Sequence, residues 1–295
     1  MNNQAAPPGY TVVKDGKRVI VVKAELEQEL RPLMTRSFGE LAGRPDARKV
    51  ATGRAVPVHI PVEGGSRRIF IRPYAHGGLL ARFMGRDFRN PSRAFRELAV
   101  SHSAQSSSLP IPPLVGITAE QMANGRWRME AWSWWIPNAT ALSLCLPSLP
   151  ADGAARRELM AAVARALKVC HDAGLVHRDL NSRNIVVERV PNAWEVRVID
   201  LDGASMDPPL SWNSRLGQLK RLFRSFAKEN VLPRHLSMPE FAAFVRTYSK
   251  GAISERALAS FLASCRRTAY LHSVPRRMLA ILRPLFPGNR KRRGA

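Results

Sequence analysis

Residues 176–187 read VHRDLNSRNIVV, and residues 198–203 read VIDLDG. In the first stretch, polar residues precede the apolar run 185–187. In the second, Asp200 directly follows the apolar residues Val198 and Ile199. These apolar runs predict two short strands joined by a turn near Pro191. Such a hairpin returns the chain to where its first strand began, so Asp200 is expected beside Asn184.

The polar residues have the form H-R-D-x-x-x-x-N followed by an aspartate, which is the spacing of a phosphoryl-transfer loop. An isolated H-R-D tripeptide also occurs by chance in an ordinary loop, but this match extends over four polar positions and two strands. We therefore predict that Asp179 is catalytic and accepts or orients the proton of the attacking hydroxyl. Asn184 and Asp200 are predicted to bind ATP through Mg²⁺.

Helices are predicted on both sides of this loop. In Ala154–Ala173, apolar residues recur on one helix face, and Gly174 follows at a position where glycine commonly ends a helix. In Trp212–Lys228, an apolar stripe has basic residues outside it. His171 is predicted to be a packed histidine rather than a catalytic one.

Two upstream residues are candidates for the nucleotide phosphates. Residues 55–62 and 67–74 predict a β-hairpin that places Arg72 where a phosphate-binding cation is needed. A helix is predicted to begin near Ser92 and to carry Glu97, which would pair with Arg72. A surface glutamate with no special role is the alternative. The serine-rich stretch Ser101–Ser108 predicts a loop after this helix.

A turn that covers the phosphates is the weakest part of the pattern. The backbone amides of Gly53 and Arg54 are candidates to bind ATP, but the single glycine resembles neither G-x-G-x-x-G nor a Walker sequence. An ordinary turn explains these residues equally well.

Further motifs lie on both sides of the catalytic loop. They are IRPYAHGGL at 71–79, FRE at 95–97, LPIPPL at 109–114, IPNA at 136–139 and DLD at 200–202. With these motifs the chain resembles the lipopolysaccharide kinase family, which includes the Kdo kinases and the core heptose kinases, within the protein-kinase-like fold. The resemblance spans roughly residues 53–228.

The resemblance implies an α+β, two-lobed, protein-kinase-like fold with a small β-rich N-lobe and a mainly helical C-lobe. The expected divisions are 1–50 for an N-terminal extension packed on the small lobe, 51–135 for the N-lobe, 136–286 for the C-lobe and 287–295 for a basic tail. Four tryptophans cluster near the crossing between lobes, where either adenine contact or core packing explains them: Trp127, Trp132, Trp134 and Trp135.

The resemblance also implies a function. It is ATP-dependent phosphorylation of a sugar hydroxyl in the lipopolysaccharide core or a similar lipid-linked saccharide, with ATP and Mg²⁺ required. Asp179 would be the base, Arg72 held by Glu97 would contact the ATP phosphates, and Asn184 and Asp200 would hold the metal.

Two departures from the protein-kinase pattern bear on the substrate. Arg72 replaces the usual strand lysine and supplies a planar, bidentate donor. Asp202 replaces the glycine of D-F-G and is a candidate to assist the metal or bind the acceptor. No A-P-E segment follows Asp202 in the sequence. A small-molecule or glycolipid acceptor is therefore favoured over a protein.

Charge indicates an anionic partner. The chain has 46 basic and 23 acidic side chains, a formal net charge of +23. Such a field attracts a phosphorylated glycolipid, an acidic membrane surface or a nucleic acid, the last being the less favoured partner. The basic cluster Arg290–Arg293 predicts a tail that contacts an anionic leaflet. The excess of arginine over lysine is equally compatible with a compositional cause.

No targeting sequence or membrane-spanning run is recognised, which predicts a cytoplasmic enzyme, peripheral at the inner face of the cytoplasmic membrane. Cys145, Cys170 and Cys265 lack metal-binding spacing and are predicted to be reduced packing residues.

Two alternatives stay open on the sequence. One is a kinase for another small-molecule hydroxyl, although the cationic balance disfavours positively charged acceptors. The other is a catalytically weak kinase relative that binds nucleic acid or acidic membrane through its arginines.

Overall fold

The computed structural model describes residues 6–50, 56–62, 67–76, 85–150 and 153–282, with side chains described as far as residue 268. Its strands are β1 (Tyr10–Asp15), β2 (Arg18–Lys23), β3 (Arg48–Lys49), β4 (Val58–Pro61), β5 (Arg68–Pro73), β6 (Leu114–Gln121), β7 (Trp127–Trp134), β8 (Thr140–Ala141), β9 (Leu175–Val176), β10 (Ile185–Val190), β11 (Ala193–Val198) and β12 (Ser205–Met206). Its helices are α1 (Glu27–Met34), α2 (Phe38–Ala42), α3 (Ser92–Ser106), α4 (Leu142–Ser148), α5 (Ala154–Asp172), α6 (Trp212–Lys228), α7 (Met238–Ser249) and α8 (Glu255–Leu282).

The first part of the chain forms a seven-stranded antiparallel sheet in the order β1-β2-β6-β7-β5-β4-β3. Its strands alternate in burial because successive side chains point to opposite faces. In β5, Ile69 and Ile71 are fully buried on one face, while Phe70 and Arg72 are partly exposed on the other. The alternation therefore fixes the direction in which Arg72 points.

Helices cover both faces of this sheet. Residues of α1 and α2 pack with Ile69 and Ile71 on one face, and α3 packs through Ala94 and Leu98 on the other. The helix α3 extends further than the sequence predicted. The prediction of a loop at Ser101–Ser108 is wrong through residue 106, because Ser101 is fully buried and its Oγ accepts a hydrogen bond from the Leu114 backbone NH at 3.0 Å.

A buried arginine joins the β1–β2 hairpin to the rest of the sheet. Arg18 donates to the Met34 carbonyl at 2.8 Å, to Glu120 at 2.7 Å and to Glu130 at 3.2 Å. A buried charge is costly unless it is paired, and here each interaction reaches a different element. The first fifty residues therefore contribute strands to the same sheet that carries Arg72.

The second part of the chain is mainly helical and holds the largest apolar core. Helix α5 ends at Asp172, and Gly174 follows with φ of 88°. A side chain at Gly174 would be strained by this φ, and its Cβ would lie 2.5 Å from the Pro208 backbone nitrogen. The predicted helix and its glycine end are thus confirmed. The predicted helix over Trp212–Lys228 is also confirmed as α6.

The described helices include none that is long and apolar enough to cross a membrane. The three cysteines are free and buried, as predicted, and burial raises the pKa of Cys170 and of Cys265 to about 12. Such thiols stay protonated at neutral pH and serve as packing groups.

Candidate active site

A cavity of about 660 Å³ lies between the sheet and the helical part of the chain. Its walls come from β5, β7 and α3 on one side and from β8, α4 and β10 on the other. The lining is apolar over most of its length and charged at one end. The charged and amide residues are Arg72, Glu97, Arg183, Asn184 and Asp200, and the apolar residues include Phe70, Trp135, Leu144 and Val186.

The predicted pair of Arg72 and Glu97 is present at the charged end. Arg72 Nη2 lies 2.5 Å from Glu97 Oε1 and 3.4 Å from Asp200 Oδ1. The second oxygen of Glu97 accepts a hydrogen bond from the Tyr74 hydroxyl, and the guanidinium of Arg72 lies 4.9 Å from the centre of the Tyr74 ring. Tyr74, which sequence reasoning did not select, thus fixes both members of the pair.

Burial and charge act together on these groups. Burial alone would lower the pKa of Arg72, but the carboxylates of Glu97 and Asp200 hold it well above its ordinary value. Burial raises the pKa of Glu97, while Arg72 and the Tyr74 hydroxyl oppose that effect. Arg72 therefore remains a cation in the cleft at any pH at which the protein is folded.

The hairpin that the sequence predicted near Pro191 is present as β10 and β11. Ile185 pairs with Val198, and the Ile199 backbone NH donates to the Asn184 carbonyl at 2.9 Å. The next residue, Asp200, has a φ of 63°, a conformation that is uncommon for residues other than glycine. The prediction that the hairpin returns Asp200 to the neighbourhood of Asn184 is confirmed.

Within the catalytic loop, the Asn181 side chain makes four hydrogen bonds. Its Nδ2 donates to the backbone carbonyl and to Oδ2 of Asp179, each at 3.0 Å. Its Oδ1 accepts from the backbone NH groups of Arg183 at 2.9 Å and of Asn184 at 3.2 Å. Asn184 Nδ2 also donates to the Asp179 carbonyl at 3.0 Å. One amide therefore fixes Asp179 relative to Asn184.

The backbone of the same loop is hydrogen-bonded to side chains of α6. The His177 backbone NH donates to Gln218 Oε1 at 2.7 Å, and the Ser182 backbone NH donates to Ser225 Oγ at 2.8 Å. The His177 ring donates from Nε2 to the Ile199 carbonyl at 3.0 Å, and burial lowers its pKa. His177 consequently joins the loop to residue 199, the first residue of the stretch 199–202, which we call the Asp200 segment.

Two oxygens at the charged end are suited to a hard divalent cation. Asp200 Oδ1 is buried and accepts no hydrogen bond from the described residues. The NH₂ group of Asn184 is committed to Asp179, and no described residue donates to its oxygen. Mg²⁺ is commonly held by one or two such oxygens together with water and substrate phosphates. The residues present fit a metal that arrives with a nucleotide.

The Asp202 carboxylate forms an ion pair with an arginine of α3. Both of its carboxylate oxygens accept hydrogen bonds from Arg93 of α3, one from Nε at 2.6 Å and the other from Nη2. Sequence reasoning did not select Arg93. Arg93 lies one helical turn before Glu97, and this spacing in the sequence indicates that the two side chains lie on the same face of the helix.

The four tryptophans have separate roles. Trp132 is fully buried and Trp127 nearly so, which places both in the sheet core. Trp134 and Trp135 line the cavity at the connection between the sheet and the helical part. Of the four tryptophans, only Trp134 and Trp135 are positioned to contact a molecule in the cavity.

Several predicted residues lie outside the described part of the chain. They are Gly53 and Arg54, the glycine pair Gly77 and Gly78, and the basic cluster Arg290–Arg293.

Comparison with known families gives a match over more than half of the chain. The lipopolysaccharide kinase (Kdo/WaaP) family matches residues 61–248, a range that includes β5, α3, the catalytic loop and the Asp200 segment.

Curated relatives and a solved structure agree with that match. A 3-deoxy-D-manno-octulosonic acid kinase of Mannheimia succiniciproducens is 28% identical over 163 residues, 54% of this chain and 65% of the relative. A protein of the same name from Vibrio cholerae is 27% identical over 184 residues, 61% of this chain and 73% of the relative. The chain thus spans just under two thirds of the first relative's length.

The solved structure "WaaP in complex with acyl carrier protein" covers 85% of this chain and 98% of its own, with a TM-score of 0.57 and 19% identity. At that identity the similarity establishes the fold. The predicted two-lobed, kinase-like α+β fold is confirmed.

Proposed function

The chain belongs to the lipopolysaccharide kinase (Kdo/WaaP) family, and on that premise we propose that it transfers the γ-phosphoryl group of ATP to a sugar hydroxyl of a lipid-linked saccharide. The observation that carries this proposal is the charged end of the cleft. Arg72, Glu97 and Asp200 meet there within 3.4 Å, and Asn184 lines the same cavity. Residues from both parts of the chain therefore converge on one site.

The chemistry assigns a separate task to each side chain. The oxygen of the sugar hydroxyl bonds to the γ-phosphorus, and the bond from that phosphorus to the β,γ-bridging oxygen breaks, so that ADP leaves. Asp179 accepts the proton that the hydroxyl loses. Arg72 binds the phosphates as a cation. Its Nε and Nη1 are available for this contact, because they make no hydrogen bond with the described residues. Asn181 holds Asp179 in place through two hydrogen bonds.

Asn184 and Asp200 would hold Mg²⁺, which supplies charge neutralisation at the phosphates when bound. The buried Asp200 Oδ1, which accepts no hydrogen bond from the described residues and has the Arg72 cation 3.4 Å away, supports this assignment.

The acceptor is proposed from the relatives and from charge. Relatives named 3-deoxy-D-manno-octulosonic acid kinase support Kdo, an acidic sugar, as the residue that is phosphorylated. A net charge of +23 favours an anionic glycolipid at the cytoplasmic face of a membrane over a cationic small molecule. Peripheral contact with that anionic surface through arginines follows as part of the same proposal.

The test is transfer of labelled γ-phosphate from Mg-ATP to matched acceptors. One acceptor is lipid A that carries Kdo, the second is the same lipid without Kdo, and the third is a heptose-extended core. We expect label on the Kdo-bearing lipid and none on lipid A alone.

Label found only on the heptose-extended core would retain the kinase assignment and reject Kdo as the acceptor. Failure to bind Mg-ATP, together with strongly salt-dependent binding to nucleic acid, would reject the kinase assignment altogether.

A further inference from the structure

We propose that the ion pair between Arg93 and Asp202 is a permanent latch that holds α3 against the Asp200 segment and keeps the active site assembled without any modification of the chain. Arg93 is then a positioning residue for the reaction. This inference deepens the proposed phosphotransferase function and rests on it.

The geometry of the pair is that of a strong one. Arg93 Nε lies 2.6 Å from Asp202 Oδ1, and Nη2 contacts the other carboxylate oxygen, so the interaction is bidentate. The Asp202 side chain is 13% exposed and that of Arg93 is 34% exposed. Exposed ion pairs contribute little, but a partly buried bidentate pair with fixed geometry is a better restraint.

The two ends of the latch belong to the elements that carry the site. On α3, Arg93 lies one helical turn before Glu97, so both side chains point to the same side of the helix. On the opposing segment, Asp202 lies two residues after Asp200. Two parallel ion pairs, Arg93 with Asp202 and Arg72 with Asp200, therefore join the sheet and its helix to the helical part.

Tyr74 links these two ion pairs. Its hydroxyl donates to Glu97, and its ring centre lies 4.9 Å from the Arg72 guanidinium and 5.9 Å from that of Arg93. A displacement of Arg93 therefore disturbs the packing of Tyr74 and, through it, the carboxylate that orients Arg72. The latch has a physical path to the phosphate-binding cation.

The chain between the latch and α6 is short. Residues 203–211 join Asp202 to Trp212, the first residue of α6, and they include β12, which contacts α3. In regulated kinases a long loop at this place is ordered by phosphorylation, through pairs of arginine with the phosphate. Here the carboxylate of Asp202 supplies the negative charge that a phosphate would otherwise supply.

The involvement of both Asp202 oxygens with Arg93 also distinguishes this role from metal binding. A carboxylate that binds Mg²⁺ needs an oxygen that accepts no hydrogen bond from the protein. Among the described residues nothing donates a hydrogen bond to Asp200 Oδ1, whereas both Asp202 oxygens accept hydrogen bonds from Arg93. Exchanging the two residues distinguishes an ion pair from a metal ligand. The variant with Asp at position 93 and Arg at position 202 can form the ion pair again, but it has no carboxylate at position 202 to bind a metal.

The experiment compares Arg93→Asp, Asp202→Arg and the double exchange, with Arg96→Asp as the matched control. Arg96 lies on the same helix, and its Nε donates a hydrogen bond to the Ser92 carbonyl of that helix. The measurements are kcat and KM for ATP in phosphate transfer, and hydrogen exchange of the α3 amides with those of α5 as an internal reference.

We expect each single exchange to lower kcat by about 100-fold, the effect of a small misplacement of catalytic groups, and to accelerate exchange in α3 but not in α5. The double exchange should recover most of the lost kcat and the slow exchange of α3. Arg96→Asp should leave both unchanged.

The proposal is overturned if the double exchange is as inactive as Asp202→Arg, or if the single exchanges leave α3 exchange unaltered. If the α5 amides of a variant also exchange rapidly, that variant is unfolded. Asp202→Asn, which keeps the shape of the side chain and removes its charge, is then measured in its place. If wild-type protein transfers no phosphate, the proposed function fails, whereas α3 exchange still tests the latch.

Discussion

At the scale of single residues, Arg72 is the point at which the two parts of the cleft meet. One of its nitrogens, Nη2, contacts the carboxylates of both Glu97 and Asp200. The other nitrogens make no hydrogen bond with described residues and remain available to phosphates. A lysine has a single nitrogen and would have to divide it between the carboxylates and the nucleotide.

Replacement of Arg72 by lysine should therefore raise KM for ATP by about tenfold, the cost of one charge-assisted hydrogen bond. Steady-state kinetics with Mg-ATP would measure this change. Arg31→Lys, an exposed change on α1 whose side chain pairs with Glu27, is the matched control. An unchanged KM in Arg72→Lys would show that Arg72 does not contact the nucleotide.

Replacement of Asn181 by alanine should lower kcat by about 10- to 100-fold with little change in KM for ATP. The reason is that Asp179 loses the amide that orients its carboxylate, while Arg72 and Asp200 are untouched. Asn213→Ala, an exposed change on α6, serves as the control. A rise in KM without a fall in kcat would contradict the positioning role of Asn181.

Local spacing made part of the site predictable from sequence. Asp179, Asn184 and Asp200 follow from a loop and a hairpin that are contiguous in the chain. The Arg93–Asp202 pair joins residues 109 positions apart and leaves no periodic signal. Asn181 was detectable in principle, because asparagine often bonds to backbone two or three residues away in turns.

At the scale of elements, helices α5 and α7 are joined by a buried polar contact. His171 on α5 is 1% exposed, and its Nδ1 lies 2.7 Å from the hydroxyl of Tyr248 on α7. Burial lowers the pKa of His171 to about 4. The prediction that His171 is a packed histidine agrees with this environment.

The depressed pKa makes stability depend on pH. Above pH 6.5, His171 is neutral in both the folded and the unfolded state, so it adds no pH dependence to the free energy of unfolding. Between pH 6.5 and about pH 4, His171 binds a proton in the unfolded state but stays neutral in the folded state, and this difference favours unfolding. Wild-type protein should lose about 2 kcal/mol of unfolding free energy from this group between pH 7 and pH 5. His171→Asn should lose correspondingly less in urea titrations at the two pH values.

The outcome that would contradict this account is an identical pH dependence in wild type and His171→Asn. His177 also has a pKa lowered by burial, so a smaller dependence of the same sign should persist in the variant.

Periodicity predicted most elements correctly. The apolar stripes of α5 and α6 and the hairpin β10–β11 were visible because each is a local repeat. The end of α3 was missed because serine composition suggested a loop, whereas the burial of Ser101 and its bond to Leu114 depend on a strand that comes later in the chain. Tertiary contact overrode local preference there.

At the scale of the whole molecule, function depends on two parts of the chain that meet at the cleft. The sheet and α3 contribute Arg72 and Glu97 to the cavity, and the helical part contributes Asn184 and Asp200. The contacts across the cleft include the ion pairs of Arg72 with Asp200 and of Arg93 with Asp202. The proposed active site is therefore formed by both parts of the chain together.

The central claim is that this cleft transfers phosphate with Asp179 as the catalytic carboxylate. The most direct test measures transfer of labelled γ-phosphate to Kdo-bearing lipid A, and Mg-ATP affinity by calorimetry, for wild type, Asp179→Ala and the exposed control Asp15→Ala. We predict that Asp179→Ala loses transfer by about 100-fold or more while its ATP affinity stays within about twofold, and that Asp15→Ala matches wild type. Undiminished transfer by Asp179→Ala would contradict the account.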